Sequence, residues 1–140
     1  MIRPATASDS DALFGLVEQL GHAFTPDRAA FDTTFASYLA DEVPGAVLLL
    51  AEQDDRLVGY ALMTVAPLLA TNGPAAQLQE IVVDESVRGS DVGTQLVRAV
   101  EAECVARGAR QLTVASRRAG GFYDRLGYHE NAEYMRRFFD

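Results

Sequence analysis

Cysteine and histidine are scarce in this sequence, which has one Cys, Cys104, and two His, His22 and His129. A single thiol closes no intrachain disulfide, and two scattered imidazoles give no metal-ligand spacing. Neither a cross-linked scaffold nor a metal centre is expected. Positive charge is also scarce: 12 Lys and Arg stand against 20 Asp and Glu, a formal net charge of −8. Affinity for nucleic acid or anionic lipid needs massed basic side chains, so neither is an expected partner; a cationic or neutral one fits better. Long apolar runs are missing, the longest lying near "GAVLLLA", and no membrane span is expected. The opening "MIRPATASDSD" lacks the basic region and apolar stretch of a signal peptide, and together with the single thiol this makes the cytoplasm the expected location. There is no repeat, low-complexity tract or linker-like composition shift, so residues 1–140 are read as one domain.

What is present is an alternation of short elements. "IRPA" reads as a strand, and Ser8 or Asp9 is placed to cap a helix in which Leu13, Leu16, Val17 and Leu20 recur until Gly21. Residues 27–40 put Phe31, Phe35, Tyr38 and Leu39 on one helical stripe, ended by Pro44 and Gly45. "AVLLLAE" and "LVGYALMTV" form an expected antiparallel hairpin across "QDDR". "LLATNGPA" reads as a loop. "QLQEIVVD" (77–84) alternates until Ile81, Val82 and Val83 run together, as in a strand buried on both faces. Val92, Leu96, Val100 and Cys104 recur at i+4 steps in a helix over 92–107 that ends at Gly108, which makes Cys104 a small core residue. "QLTVAS" is a further strand, "GGFYDRL" a short helix and "ENAEYMRRFF" a final strand. The predicted order is β-α-α-β-β-β-α-β-α-β, an α/β domain with a mixed sheet of about six strands and about four helices.

The junction "DESVRGSDVG" joins a strand to a helix. The first turn of a helix carries four amides without intrahelical partners and a partial positive charge, which suits phosphate. Gly89 and Gly93 keep the backbone open, and Arg88 adds charge. The junction is neither a Walker loop, since no Gly-Lys-Ser/Thr follows, nor a dinucleotide fingerprint, since the third glycine and the ribose acid are missing. On these residues alone, a diphosphate cradle and an ordinary strand-to-helix turn are equal readings.

The wider pattern separates them. "QEIVVDESVRGSDVGTQLV" resembles the acetyl-CoA motif of the GCN5-related N-acetyltransferases (the GNAT family) through Val83, Asp84, Arg88, Gly89, Val92, Gly93 and Leu96. "GFYDRLGY" resembles that family's second signature through Phe122, Tyr123, Gly127 and Tyr128, and "IRPAT" before a helix is also typical. The resemblance runs from the second residue to the last strand. It implies a single-domain acyltransferase fold and direct attack of a small-molecule primary amine on acetyl-CoA, in a homodimer. It also implies that the backbone of Ile81, Val82 and Val83 binds the pantetheine and the acetyl oxygen while their side chains serve the core. Arg88, Gly89, Ser90, Asp91, Val92, Gly93 and Thr94 would form the diphosphate loop, and Ser116 would touch the pantetheine amide.

Two residues carry the implied chemistry. Tyr123 falls at the family's general-acid position, where a protonated phenol donates to the departing thiolate. Glu80 falls where relatives place a carboxylate that accepts the amine proton directly or through water; a solvent-facing strand residue is an equal reading. Asp91 departs from the pattern, standing where the family usually has glycine, so its carboxylate either opposes the diphosphate or caps the helix and faces solvent. His22 borders the expected acceptor pocket, His129 is a surface residue, and Arg117 and Arg118 adjoin the expected adenosine phosphate. Residues 9–42 hold Asp9, Asp11, Glu18, Asp27, Asp32, Asp41 and Glu42 against Arg28 alone, which predicts a preference for cationic amines. The alternatives are a protein N-terminal acetyltransferase, a non-catalytic CoA-binding or regulatory module of the same fold, and an interaction domain that binds no CoA.

Overall fold

A computed structural model of the chain describes residues 1–21, 24–116 and 121–139. Five strands form one sheet in chain order: β1 (Ile2–Pro4), β2 (Ala46–Gln53), β3 (Arg56–Leu68), β4 (Gly73–Val83) and β5 (Leu112–Val114). The first four are antiparallel neighbours, and β5 pairs parallel with β4. Helices α1 (Ser10–Glu18) and α2 (Arg28–Leu39) precede β2, α3 (Val92–Ala106) crosses from β4 to β5, and the short α4 (Phe122–Arg125) follows.

The hairpin across "QDDR" turns at Asp54 and Asp55, with φ of 54° and 59°, and pairs Gln53 with Arg56. Two left-handed residues in a two-residue turn match the right-handed twist of the strands. The "LLATNGPA" segment is shorter as a loop than its composition suggests. Strand β3 runs to Leu68 and β4 starts at Gly73, so only 69–72 turn, with Asn72 at φ 57°.

Two apolar layers flank the sheet. On one face Val92, Leu96, Val100 and Cys104 of α3 pack on Val47, Ala51, Val58, Ala61, Met63, Ala76 and Leu78. On the other, Leu13, Leu16 and Phe35 of α1 and α2 cover Leu50, Tyr60 and Val82. Helix α3 lies close enough that a Cβ on Gly59 would stand 2.8 Å from the Val82 carbonyl and 3.2 Å from Leu96. The Cys104 thiol is buried, 3.3 Å from the Met63 sulfur.

The expected last strand does not form. Residues 129–139 are exposed and carry no strand pairing, so the described sheet has five strands rather than six. "EYMRRFF" places its residues in doublets, so neither face of a strand made from it would be apolar, and no register is preferred. Ile81 and Val83 also differ from the fully buried run expected of them: Val82 is buried and its two neighbours only half-buried.

Helix α1 is fixed to β1 by charge. Arg3 donates through Nη1 and Nη2 to both oxygens of Asp9, at 2.9 and 2.8 Å, and through Nε to Glu52 at 3.2 Å. The Asp9 carboxylate also accepts from the Thr6 amide at 2.7 Å and the Thr6 hydroxyl at 3.1 Å. The Arg3 hydrogen bonds, with those of Thr6, hold the buried Asp9 carboxyl at about 2, below its ordinary 3.8. A carboxyl depressed in the folded state stabilises fully above its unfolded value, and that contribution is lost as pH falls through the folded one. Asp9→Asn is therefore expected to cost about 2–4 kcal/mol at neutral pH, since it leaves Arg3 short of a partner. Urea melts should show that the wild type loses stability between its values of 3.8 and about 2 more steeply than the variant does.

Candidate active site

The site starts from an irregularity in β4. Its register with β3 runs Gly59↔Val83, Tyr60↔Val82, Ala61↔Ile81, Leu62↔Glu80, then Met63↔Leu78, leaving Gln79 as an extra residue. This bulge reverses the alternation of side chains. Before it, Ala76 and Leu78 face α3. After it, Val82 faces α1 and α2, and Glu80, two residues earlier, shares that face. Ile81 and Val83 pack toward α3, which accounts for the unbroken apolar run.

Beside the bulge the sheet opens. Pairing with β5 ends at Leu78↔Val114, so Gln79 to Val83 face a gap instead of a neighbouring strand. A cleft of about 780 Å³ fills it. Leu20 and Gly21 line it beyond α1, Glu80, Ile81 and Val83 on β4, Arg88, Gly89, Ser90, Gly93 and Thr94 at the start of α3, Val114 to Ser116, and Phe122, Tyr123 and Arg125 on α4. Because Glu80 belongs to the α1 face and Val83 to the α3 face, the cleft passes through the sheet.

At the α3 end, Gly89 adopts φ 88°, a conformation that side chains resist, and the chain then enters the helix. Ser90 Oγ donates to the Val87 carbonyl at 2.6 Å. Asp91 occupies the N-cap position, but its carboxylate makes no cap bond; it is exposed and lies outside the cleft lining. The amides of Gly93 and Thr94 find no acceptor among the described residues. A Cβ on Gly93 would meet Phe122 at 3.5 Å and Val83 at 3.6 Å, both ordinary contacts. The chain itself therefore tolerates alanine there, and the added methyl would occupy the cleft wall. Arg88 donates to the Val83 carbonyl at 3.3 Å.

Tyr123 is half-buried, its ring edge-on to Phe122 and Tyr128 at 5.0 and 5.6 Å. Burial pushes its phenol up, so it holds its proton at neutral pH. Glu80 accepts a hydrogen bond from the Tyr60 hydroxyl at 2.8 Å. Ser116 is exposed at the cleft edge. The side chains of Val82 and Val92 are buried in the two layers, so neither presents its side chain to a ligand. Ile81 and Val83 line the cleft with side chains as well as packing on the core, a wider part than the resemblance assigns them. His129 is exposed; His22, Arg117 and Arg118 lie outside the described residues.

Several of the acidic residues of 9–42 are engaged locally. Asp9 is bound to Arg3, and Arg28 holds Asp11 and Asp32 at 2.8 and 2.9 Å. Asp27 caps α2 by accepting from the Ala30 amide. None of the seven carboxylates lines the cleft; Glu80 is the carboxylate that does.

Two residues of the site escape sequence reading. Gln19, at the end of α1, donates to Asp84 at 2.7 Å and accepts from the Glu85 amide at 3.1 Å, tying the α1 end of the cleft to the loop before α3. The Gln19 hydrogen bond, with those of Ser86 and Arg56, holds the Asp84 carboxyl at about 2. Tyr60 is the second, signalled only by a hydroxyl within the apolar run "LVGYALM" that has to find a partner when buried.

Comparison with known proteins places this fold among acyltransferase enzymes. The chain belongs to the acetyltransferase (GNAT) family, whose model matches residues 16–128. It is 30% identical over 135 residues to the aminoalkylphosphonate N-acetyltransferase of Salmonella typhimurium strain LT2, covering 93% of this chain and 85% of that protein. Among solved structures, glucosamine-6-phosphate N-acetyltransferase from Arabidopsis thaliana superposes with a TM-score of 0.86 at 21% identity over 100% of this chain and 98% of that one. An aminoglycoside antibiotic 6'-N-acetyltransferase from Acinetobacter haemolyticus gives 0.77 at 19% identity over 100% and 99%. No helix among the described residues is long and apolar enough to cross a membrane.

The Gln19 tie yields a prediction that does not depend on any ligand. Gln19→Ala should speed amide exchange across residues 85–91 about tenfold, the equivalent of roughly one hydrogen bond, and leave the centre of α3 unchanged. Hydrogen exchange read by mass spectrometry checks it.

Proposed function

We propose that the chain transfers the acetyl group of acetyl-CoA to a primary amine of a small molecule by direct attack. The observation that carries this reading is the parting of β4 from β5 at Leu78↔Val114, which brings Glu80, Tyr123 and the open amides of α3 to one cleft. The residues suit the co-substrate. The amides of Gly93 and Thr94, with Arg88 and the glycine-opened backbone at 89, are donors for a diphosphate. Ser90, Asp91 and Val92 complete that loop through their backbone. On the edge of β4 away from β3, Ile81 offers its amide and carbonyl and Val83 its amide to the pantetheine, while Val82 between them turns its backbone to β3. Ser116 adds a hydroxyl.

Acetyl-CoA supplies the activated acetyl group, and the chain's side chains move the protons. As the amine nitrogen bonds to the acetyl carbon, Glu80 accepts the amine proton directly or through water. As the carbon–sulfur bond breaks, Tyr123 donates to the departing sulfur. Both residues then exchange protons with solvent. A cytoplasmic setting and a homodimer belong to the same reading; the free buried thiol of Cys104 supports the first, and the exposed run Tyr134, Met135, Phe138 and Phe139 supports the second.

The acceptor is argued from the cleft. The carboxylates of 9–42 lie outside it, and a lining that holds Glu80 beside Arg88 and Arg125 is compatible with a cationic amine and with one that also bears an anion. The Salmonella relative is named for aminoalkylphosphonates, which makes that class the first to assay beside neutral and cationic amines. Release of free CoA across such a panel tests the reading, and no release with any amine overturns it.

Three further outcomes are expected. Acetyl-CoA at about 100 times its dissociation constant should stabilise the protein by roughly 2.7 kcal/mol in a thermal-shift titration. Asp91→Gly should change that affinity less than about threefold, because its exposed carboxylate is screened by solvent and salt. Tyr123→Phe should lower turnover by about 10²–10⁴-fold with acetyl-CoA affinity intact, as steady-state kinetics at saturating amine will report.

A further inference from the structure

Glu80 is not alone at the mouth of the α1 side. Tyr60 stands on β3 directly across from Val82, and Leu62 is directly across from Glu80, so Tyr60 and Glu80 are diagonal neighbours on one face. The Tyr60 side chain is 1% exposed in a cluster with Leu13, Leu16, Phe35, Leu50 and Val82. A buried hydroxyl is costly unless it is hydrogen-bonded, and phenylalanine would fill the same space without that requirement. The hydroxyl meets the requirement in one place, Glu80 Oε1, at 2.8 Å.

We propose that Tyr60 is a positioning residue for the acetyl transfer: its hydroxyl occupies Glu80 Oε1, so that Oε2 is the oxygen that receives the amine proton. The inference rests on the reading of Glu80 as the proton acceptor. Burial first, and then the Glu80 charge, push the Tyr60 phenol up. Tyr60 is therefore the donor and Glu80 the acceptor throughout the working pH range. The bond fixes the Glu80 carboxylate in one orientation beside the cleft that Glu80 lines.

The other titratable groups around Glu80 do not duplicate this bond. Tyr38 on α2 is pushed up by burial and by the Glu80 charge, but makes no hydrogen bond to it among the described residues. Arg88, Tyr123, Arg125 and Tyr134 line the same cleft from the α3 loop, α4 and the tail, while Leu20 and Gly21 beyond α1 bring no charge.

The test is the pH profile of kcat/KM for the amine. Tyr60→Phe removes one oxygen from a packed ring and should move the acidic limb upward by about one pH unit, the effect of losing a hydrogen bond to a charged group. The KM for acetyl-CoA should stay within twofold, roughly the scatter of an unaffected site. Glu80→Gln should abolish the acidic limb, and adding Tyr60→Phe to it should slow turnover by less than about twofold. Glu80→Asp, which withdraws the carboxylate from the hydroxyl by one methylene, is the second variant; its limb should move in the same direction, and Tyr60→Phe should add nothing to it. An unmoved limb in Tyr60→Phe, with Glu80→Gln slow, overturns the positioning role alone. Glu80→Gln turning over at the wild-type rate instead overturns the assignment of Glu80, and Tyr60 falls with it.

Discussion

The extra residue at Gln79 is the constraint on which the site depends. An uninterrupted β4 would keep Leu78, Glu80 and Val82 on one face, either burying a carboxylate under α3 or turning Val82 out of the layer beneath α1 and α2. One bulged residue resolves this conflict. It lets Leu78 and Val82 serve opposite layers and delivers Glu80 to the side where α1 ends. A bulge also bends its strand and raises the local twist, and pairing with β5 stops beside it. The cleft is thus a consequence of strand geometry, and the loops furnish its rim.

Helix α1 leads into Leu20 and Gly21 at the edge of this cleft and is held at both ends. At its start the Arg3–Asp9 pair ties it to β1 and, through Glu52, to β2. At its end Gln19 reaches the turn after β4. Both attachments end on an ionised carboxylate, and hydrogen bonds to charged groups are stronger than neutral ones. A helix fixed at two points keeps Leu20 and Gly21 in place across from Glu80, which matters wherever reacting atoms have to meet within a fraction of an ångström.

Much of this was legible in the residues. The spacing of Val92, Leu96, Val100 and Cys104 marked α3 and its buried face, the Asp54-Asp55 turn marked the first hairpin, and Arg88, Gly89, Gly93 and Tyr123 all stand in the cleft. What escaped notice shares one cause. The bulge at Gln79, the tie from Gln19 and the Tyr60 hydroxyl are long-range relations, and a local pattern of apolar and polar residues carries no record of its partners. The acidic stretch 9–42 shows the same limit: its charge was countable, but the pairing of Asp9 with Arg3, and of Asp11 and Asp32 with Arg28, was not. The tail "ENAEYMRRFF" has strand composition, yet its doublets lack the alternation that would give it a buried face.

The sheet order has a kinetic consequence. From β1 to β4 every strand lies beside its predecessor, and β2, β3 and β4 are joined by two short turns, so their contacts close small loops early in folding. Strand β5 is the exception. It is parallel, reached only after the whole of α3, and held to β4 over three residue pairs. Like β1, which is held to β2 over three pairs across a still longer connection, it joins the sheet after the β2–β4 meander has formed. One wall of the cleft is therefore an edge strand held by few pairs, so its release opens the site while the β2–β4 meander is still intact.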